Sequence, residues 1–361
     1  MSIRLPEVIG SVVEAGLSPH PVDRYLELLD PMITWRDLRA KVVDVTRPTS
    51  RTVRITLAPT RQWRGHRAGQ FIQLKVVIDG VRHVRCFSPA NAQGHSDVIE
   101  LTITAHDDGF VSTYLRDNAK VGDVYGLEQA DGDFVLPQSP TGPVVFVSGG
   151  SGVTPTLSML RTLVASAHGG PVTFVHYART SDGVAYATEL NALAAAHSNV
   201  DVRLRYTRGA HGDLEAGHFT TGHLDDIALD DADVFVCGPS TLMDAVIDHL
   251  ADAHPTARVH SESFRPAPAA IIDPDEPISG DVAFTTSGKV AANDGRTILD
   301  QAESAGLSPK SGCRMGICFS CTAVKKSGCT RNVLTGDIDS EADKQIQLCI
   351  NAPVGDVEIE V

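Results

Sequence analysis

Hydrophobic and polar residues alternate in short runs over residues 35–140. Three such runs are residues 51–57, 71–77 and 98–104. Alternation with a period of two favours strands that bury one face. Asp-Gly pairs at 79–80 and 108–109 interrupt this pattern and predict hairpin turns. We therefore expect an antiparallel β-barrel over residues 35–140.

The pattern changes at residue 141, where continuous apolar runs replace the alternation. A run ending at residue 148 leads into a glycine-rich turn, a helical stretch over 156–167 and a second apolar run at 172–177. Further strand-like runs follow at 202–206 and 233–237. Strands that alternate with helices predict a parallel α/β sheet, so we expect a nucleotide-binding domain over residues 141–263.

The rest of the chain divides into three pieces. Residues 1–34 are interpreted as a partly helical N-terminal extension to which we assign no chemistry. Residues 264–280 contain four prolines, which favour an extended interdomain linker. Residues 281–361 combine short strands with one helix, expected over 297–304, and form the third predicted domain.

Composition narrows the classes of protein. The chain has 361 residues, of which 42% are hydrophobic and 21% charged, as is typical of globular proteins. A net charge of -14 disfavours nucleic acid as a partner; an acidic surface suits a basic partner, although solubility alone accounts for it. No apolar run is long enough for a membrane span, and the N-terminus lacks the features of a secretory signal. We expect a cytoplasmic protein, with peripheral membrane association left open.

Cysteines cluster near the C-terminus. Cys313, Cys318 and Cys321 form C-x4-C-x2-C, and Cys349 follows after 27 intervening residues. This is the plant-type ligand spacing of a [2Fe-2S] cluster. The alternative is a structural zinc site, but zinc sites favour paired C-x2-4-C elements and only one C-x2-C is present. Cys329 falls outside the spacing and is interpreted as a spare thiol.

The segment 281–361 resembles a plant-type ferredoxin. The resemblance implies an α+β fold of the β-grasp type, with Cys313, Cys318, Cys321 and Cys349 as the cluster ligands.

An Arg-Cys-Phe-Ser run at residues 85–88 resembles the R-x-[YF]-S flavin motif of the ferredoxin-NADP reductase superfamily. The resemblance implies that Arg85 neutralises a flavin phosphate, that Phe87 lies against the ring system and that Ser88 reaches the flavin N5 edge. Cys86 is the variable position of the motif. Taken singly, these are ordinary strand residues. Phe87 replaces the tyrosine of many relatives, and Thr104 stands where a lysine is often found.

A second flavin element begins at Gly109. Gly109, Val111 and Ser112 lie in a segment similar to the superfamily's G-x-x-S phosphate turn, which opens a short helix. Glycine permits close approach of a phosphate, and Ser112 can donate to pyrophosphate near the helix N-terminus. FAD is favoured over FMN because this turn resembles the FAD-binding members, although related FMN reductases share the domain order.

Two elements are expected to bind the nicotinamide cofactor. The glycine turn after the first apolar run of the α/β domain supplies one group of residues: Gly149, Gly150, Gly152, Thr154 and Pro155. The second element is Cys237, Gly238 and Pro239, at the end of a later strand. The resemblance implies that Cys237 aligns the nicotinamide with flavin N5 and is not a nucleophile. The alternative interpretation of Cys237 is a buried cysteine with only a structural role.

Residues at the end of the α/β domain complete the expected reacting centre. Glu262 and Phe264 fall where relatives end this domain against the flavin, and Phe264 is expected to cover the ring until nicotinamide displaces it. The catalytic group is therefore predicted to be Ser88, Cys237 and Glu262. Arg179 and Arg208 each follow a strand and are placed to meet a 2'-phosphate. NADPH is favoured for this reason, and NADH stays an alternative.

The predicted cofactors imply a relay. Hydride carries two electrons and a [2Fe-2S] cluster accepts one, so a flavin is required between them. The domain order resembles reductase components of oxygenase and desaturase systems. Segments 30–35 and 65–71 are most similar to reductases that feed membrane-bound fatty acyl desaturases, which makes such a desaturase the expected partner. The alternatives are a reductase for a Rieske oxygenase, hydroxylase or cytochrome P450, and a redox sensor without turnover.

Overall fold

The computed structural model describes residues 22–94, 97–106, 109–138, 140, 142–209, 216–264, 278–312, 314, 316 and 319–361. Three predictions fall wholly or partly outside these residues: most of the N-terminal extension, most of the linker, and the ligand positions Cys313 and Cys318. The described chain begins with helix α1 (Val22–Leu26).

The first sheet has six strands and is antiparallel. In chain order these are β1 (Arg39–Thr49), β2 (Thr52–Pro59), β3 (Ile72–Ile78), β4 (Val81–Phe87), β5 (Ile99–Thr104) and β6 (Val124–Leu127). Helix α2 (Phe110–Asn118) lies between β5 and β6. The spatial order is β4-β3-β6-β1-β2-β5, which leaves β4 at one edge. Burial alternates along β2 and β3, so one face forms the core, as the period-two pattern predicts.

One of the two predicted hairpins is wrong. Asp79 and Gly80 both have positive φ and join β3 to β4, as a tight hairpin requires. Gly109 instead immediately precedes helix α2. An Asp-Gly pair marks a break in the chain, but the helical spacing of the residues that follow decides what comes next.

The second sheet has five parallel strands. They are β7 (Val144–Gly149), β8 (Val172–Ala178), β9 (Val200–Tyr206), β10 (Asp233–Cys237) and β11 (Arg258–Glu262), in the spatial order β11-β10-β7-β8-β9. Helices α3 (Val153–Ala165), α4 (Ala187–Ala196) and α5 (Ser240–Ala253) connect them. Separate apolar clusters cover the two faces, so every residue of β7 and β10 is buried.

The third sheet lies in the C-terminal part. Its strands are β12 (Asp281–Phe284), β13 (Lys289–Ala292), β14 (Thr322–Asn332), β15 (Ile338–Asp339), β16 (Lys344–Gln347) and β17 (Asn351–Ile359). Strand β12 pairs in parallel with β17 and antiparallel with β13. Helix α6 (Ile298–Ser304) is capped by Thr297, whose hydroxyl accepts from the Asp300 amide, and packs its apolar residues into the core of this sheet.

The fold class predicted from the sequence is confirmed: an antiparallel β domain, a parallel α/β domain and an α+β C-terminal domain follow one another. Within the part of the chain that the structure describes, no helix is long and apolar enough to cross a membrane. The domain boundaries at residues 35, 141, 264 and 281 stay predictions, and each sheet lies inside one predicted domain.

Candidate functional site

The predicted flavin motif lies on the edge strand β4 and just beyond it. Arg85, Cys86 and Phe87 are half-buried, and Phe87 packs against the core of the first sheet. Ser88 is only 3% exposed, and its hydroxyl has no hydrogen-bond partner among the described residues. Because a buried polar group without a partner is costly, this hydroxyl fits a bound group that supplies the missing bond.

The second predicted flavin element opens helix α2. Gly109 occupies the N-cap position, and Ser112 Oγ donates to the Gly109 carbonyl at 3.2 Å. A Cβ atom at Gly109 would lie 2.3 Å from Ser112 Oγ and 3.2 Å from the His106 carbonyl, so a side chain there would displace the Ser112 hydroxyl. Val111 points into the core of the first sheet, which leaves its backbone amide as the group that can face a phosphate.

The glycine turn of the α/β domain packs against the end of strand β10. Gly149 ends β7, and a Cβ there would lie 2.8 Å from Leu242 and 2.9 Å from Pro239. A Cβ at Gly152 would lie 2.0 Å from the Cys237 carbonyl. These glycines therefore allow two strand ends to meet. The structure thus brings together the two elements that the sequence assigned to the nicotinamide cofactor.

Other residues of this glycine turn stabilise its backbone conformation. Gly150 has φ +54°, a conformation that favours glycine. Thr154 Oγ1 donates to the Ser151 carbonyl at 3.1 Å, and Thr154 and Pro155 are buried in the first turn of α3. Gly238 is half-buried between the turn and Pro239, and a Cβ there would lie 3.0 Å from the Gly149 amide nitrogen.

Cys237 and Glu262 face each other across β10 and β11. Cys237 is fully buried, and burial together with the Glu262 carboxylate raises the pKa of its thiol well above the usual value. Glu262 is half-buried, but its Oε2 atom is enclosed and has no hydrogen-bond partner in the described chain. Burial raises the pKa of Glu262 to about 8. Both groups are therefore protonated at neutral pH.

The same row of the sheet continues to two residues that the sequence analysis missed. Ser148 pairs with Cys237, and His176 pairs with Ser148 on the next strand. Ser148 Oγ and His176 Nδ1 are 2.9 Å apart, and burial lowers the pKa of His176 to about 4. The available signal was a polar residue near the end of each of two largely apolar runs, residues 144–149 and 172–178.

The predicted 2'-phosphate residues lie at the ends of adjacent strands. Arg179 follows β8 and Arg208 follows β9; both are exposed, and the Arg208 amide donates to the Arg179 carbonyl at 2.8 Å. Arg205 was missed. Its Nε atom is buried without a hydrogen-bond partner among residues described here, and it pairs across the strands with Tyr177. Three arginines thus come together at this edge of the sheet.

Phe264 is half-buried and packs against the apolar cluster of the α/β domain that contains Cys237. Its predicted position near the reacting centre is therefore compatible with the packing, and its role as a cover for the flavin ring stays a prediction.

Two of the four predicted cluster ligands are described, and both are buried. Cys321 is 2% exposed and Cys349 is 7% exposed, and both belong to the core of the third sheet. The Leu348 amide donates to the Cys321 carbonyl at 3.0 Å, which holds the two ligand segments together. Cys329 is half-buried on β14, opposite Val354. Enclosed thiols on adjoining segments fit a [2Fe-2S] cluster.

The predicted cluster loop touches the first sheet. Ser320, next to Cys321, donates from Oγ to Gln73 Oε1 at 3.2 Å. Gln73 on β3 pairs directly with Cys86 of the flavin motif. Ser320 therefore contacts the strand that pairs with the strand of the predicted flavin motif.

The sequence matches three protein families in chain order. Residues 40–135 match the oxidoreductase FAD-binding domain, residues 146–248 the oxidoreductase NAD-binding domain, and residues 284–351 the 2Fe-2S iron-sulfur cluster binding domain.

Two curated relatives match most of the chain. An NADPH oxidoreductase of Mycobacterium tuberculosis is 32% identical over 348 residues, which cover 94% of this chain and 88% of the relative. A glycine betaine monooxygenase reductase subunit of Pseudomonas aeruginosa is 31% identical and covers 81% of this chain and 86% of the subunit. The structure of phthalate dioxygenase reductase has the same fold, with a TM-score of 0.65 and 23% identity over 90% of this chain and 97% of that one.

Fold, site and relatives define an oxidoreductase that uses FAD, a pyridine nucleotide and a [2Fe-2S] cluster. The chain belongs to the ferredoxin-NADP reductase superfamily, among the oxygenase-reductase type with a C-terminal ferredoxin domain.

Proposed function

We propose that this protein takes hydride from NADPH and delivers single electrons, through its ferredoxin domain, to the oxygenase component of a multicomponent monooxygenase or dioxygenase. The observation that carries the proposal is the Ser320–Gln73 contact, in which the neighbour of the predicted ligand Cys321 meets the strand paired with the flavin motif. Electrons then have a short route between the two redox groups within one chain.

FAD, when bound, accepts two electrons as hydride and releases them singly. The protein's residues supply binding and orientation. Arg85 and the first turn of α2 would hold the phosphates, and Ser88 Oγ would meet the N5 edge. The α/β domain brings Cys237 and the glycine turn to the nicotinamide. Glu262 holds a proton at its enclosed carboxyl group, because its pKa lies near 8.

The choice of acceptor rests on the relatives. The names of the glycine betaine monooxygenase and stachydrine N-demethylase reductase subunits, and of phthalate dioxygenase reductase, point to oxygenase or demethylase systems. None of these proteins is named as a partner of a desaturase. An oxygenase partner, which was the alternative in the sequence analysis, is therefore favoured over the fatty acyl desaturase that was expected first. The sequence features behind that expectation do not identify an acceptor.

The choice of NADPH rests on charge. Arg179, Arg205 and Arg208 gather at the ends of β8 and β9, where their positive charges favour a bound 2'-phosphate. The relative from Mycobacterium tuberculosis is named an NADPH oxidoreductase, which agrees with this choice.

The order of electron flow can be tested with two cysteine variants. Cys321→Ser removes a predicted ligand, whereas Cys329→Ser removes a thiol outside the predicted ligand set. Reconstituted wild-type protein should reduce both ferricyanide and cytochrome c with NADPH. Cys321→Ser should keep ferricyanide reduction by the flavin and lose nearly all cytochrome c reduction, while Cys329→Ser should keep both. Equal loss of both activities in Cys321→Ser would contradict the proposed order.

The acceptor is tested separately. Purified oxygenase components and a membrane-bound fatty acyl desaturase would be supplied in parallel, and NADPH-dependent product formation would be measured for each. Turnover with an oxygenase component alone supports the proposal, and turnover with the desaturase alone contradicts it. A redox sensor predicts rapid turnover with neither, and no fast ferricyanide reduction.

A further inference from the structure

Tyr186 lies between two arginines from different domains. Its ring is 4.5 Å from the guanidinium carbon of Arg54, on β2 of the first sheet, and 5.4 Å from that of Arg161, on α3 of the α/β domain. Both distances fall within the range of a cation–π interaction. Arg54 also donates to the Ala185 carbonyl at 3.3 Å. The ring is 2% exposed, so this contact is sheltered from solvent.

The Tyr186 hydroxyl is bonded to the first sheet. It donates to Glu100 Oε1 at 2.7 Å and forms a short contact with Thr102 Oγ1, both on β5. Burial, followed by the charge of Glu100, raises the pKa of Tyr186 above its usual range. The phenol therefore stays neutral and keeps its proton for the bond to Glu100.

Arg161 closes the network from the other side. It forms a bidentate pair with Glu189 on α4 at 2.6 and 2.7 Å. The same guanidinium donates to Glu100 Oε1 at 3.0 Å and to the Ala90 carbonyl at 2.8 Å. Glu100 thus accepts bonds from Tyr186 and Arg161 together. We call Arg54, Glu100, Thr102, Arg161, Tyr186 and Glu189 the Tyr186 clamp.

The clamp connects the two halves of the predicted hydride-transfer site. Arg85 and Ser88 lie in the flavin domain, whereas Gly149 and Cys237 lie in the α/β domain. Interfaces between domains of one chain commonly permit relative motion. Hydride transfer requires the reacting atoms about 3 to 3.5 Å apart, and a misplacement of about 1 Å can slow a reaction on the order of a hundredfold.

The clamp also holds the chain near the nucleotide. Tyr186 directly precedes α4 and lies seven residues after Arg179, a predicted contact of the 2'-phosphate. The segment that reads the adenosine end of the cofactor is therefore tied to β2 and β5 of the flavin domain.

We propose that Tyr186 is a positioning residue for hydride transfer, which fixes the α/β domain on the flavin domain through Glu100, Arg54 and Arg161. This inference rests on the proposed function, since it concerns reduction of the flavin by NADPH.

The test compares Tyr186→Phe with Tyr125→Phe. The control removes another buried hydroxyl, which donates to Asp123 at 3.2 Å inside the flavin domain. FAD-loaded proteins would be reduced by NADPH in anaerobic stopped-flow experiments. Tyr186→Phe should slow flavin reduction on the order of tenfold and leave the dissociation constant for NADPH within about twofold. Tyr125→Phe should reduce at the wild-type rate. Deuterium at C4 of NADPH should slow the Tyr186→Phe reaction further, which identifies hydride transfer as the affected step.

A second readout needs no turnover. Without nucleotide, amide hydrogen exchange over residues 99–104 and 185–190 should be faster in Tyr186→Phe than in wild type, and unchanged in Tyr125→Phe. Glu100→Gln keeps the shape of the side chain and should reproduce both the slower flavin reduction and the faster amide exchange. It replaces Tyr186→Phe in these experiments if Tyr186→Phe does not fold.

Two results would overturn the inference: flavin reduction at the wild-type rate in Tyr186→Phe and Glu100→Gln, or equal slowing in the Tyr125→Phe control. Failure of this inference can be distinguished from failure of the proposed function. If the proposed function were wrong, NADPH would not reduce the flavin of the wild-type protein either.

Discussion

Cys237 and Glu262 lie opposite each other on adjacent parallel strands, with the Cys237 thiol fully buried and Glu262 Oε2 enclosed. Burial disfavours the charged form of both groups, and the Glu262 carboxylate further disfavours ionisation of the Cys237 thiol. The end of the sheet that would receive the nicotinamide therefore carries two protonated groups at neutral pH, and this has consequences for stability and reactivity.

The stability of the FAD-free protein should fall as pH rises, in part because of Glu262. Its pKa is 4.5 when unfolded and about 8 when folded, so between these values the folded protein binds a proton that the unfolded chain has released. The free energy of unfolding then decreases with pH by at most about 1.4 kcal/mol per pH unit for this group. Thermal unfolding midpoints at about pH 5.5 and 8 should differ less in Glu262→Gln than in wild type.

Glu128→Gln is the control for this experiment, because Glu128 is an exposed carboxylate of the flavin domain. It should retain the pH dependence of the wild-type protein. An unchanged pH dependence in Glu262→Gln would show that the carboxyl group is not protonated in the folded state.

The Cys237 thiol should resist alkylation in the folded protein. Iodoacetamide reacts with thiolates, and both burial and a raised pKa suppress that form here. Half-buried Cys86 and Cys329 provide internal comparisons. Peptide mass spectrometry after brief treatment at about pH 8 should show Cys237 at least about tenfold less modified than Cys86, and fully modified after unfolding. Comparable modification of Cys237 and Cys86 in the folded state would mean that Cys237 is an accessible nucleophile.

The fold could be predicted because its signals are local. Strand periodicity, the alternation of strands and helices, and the spacing of Cys313, Cys318, Cys321 and Cys349 are all visible in short windows of sequence. The Asp-Gly pair at 108–109 led to a wrong prediction of a hairpin, because Asp and Gly are common both in hairpin turns and just before helices.

Contacts between distant segments could not be predicted. Tyr186 and Glu100 are 86 residues apart in sequence, and Ser148 and His176 are 28 apart. No periodicity connects such pairs, since they meet only when the strand order and the domain packing are known. Arg205 was overlooked for a related reason: its pairing with Tyr177 of β8 and the burial of its Nε atom are properties of the folded sheet.

The preference for NADPH should depend on Arg179 and Arg208. Replacing either by Ala should raise the KM for NADPH about tenfold, which corresponds to the loss of about 1.4 kcal/mol from one charge-assisted contact. The KM for NADH should change little, because NADH lacks the 2'-phosphate. Steady-state ferricyanide reduction with each cofactor measures both values.

Arg203→Ala is the matched control, since Arg203 lies on β9 but is paired with Asp201 and Asp226 at 2.7 and 2.5 Å. It should leave the ratio of the two KM values unchanged. A similar increase of KM for NADPH and NADH in Arg179→Ala and Arg208→Ala would refute a contact with the 2'-phosphate.

Phe319→Gly should be more stable than Phe319→Ala. It lies between two predicted cluster ligands, has φ +53° and is 67% exposed, so its side chain gains little from packing while its backbone is in the left-handed region. That conformation costs a non-glycine residue on the order of 1 kcal/mol. Phe319→Ala removes the ring but keeps the backbone strain. The thermal midpoint of cluster loss, measured by visible absorbance, should therefore be higher for Phe319→Gly than for Phe319→Ala. A lower midpoint for Gly than for Ala would show that this turn does not hold the left-handed conformation in the cluster-loaded protein.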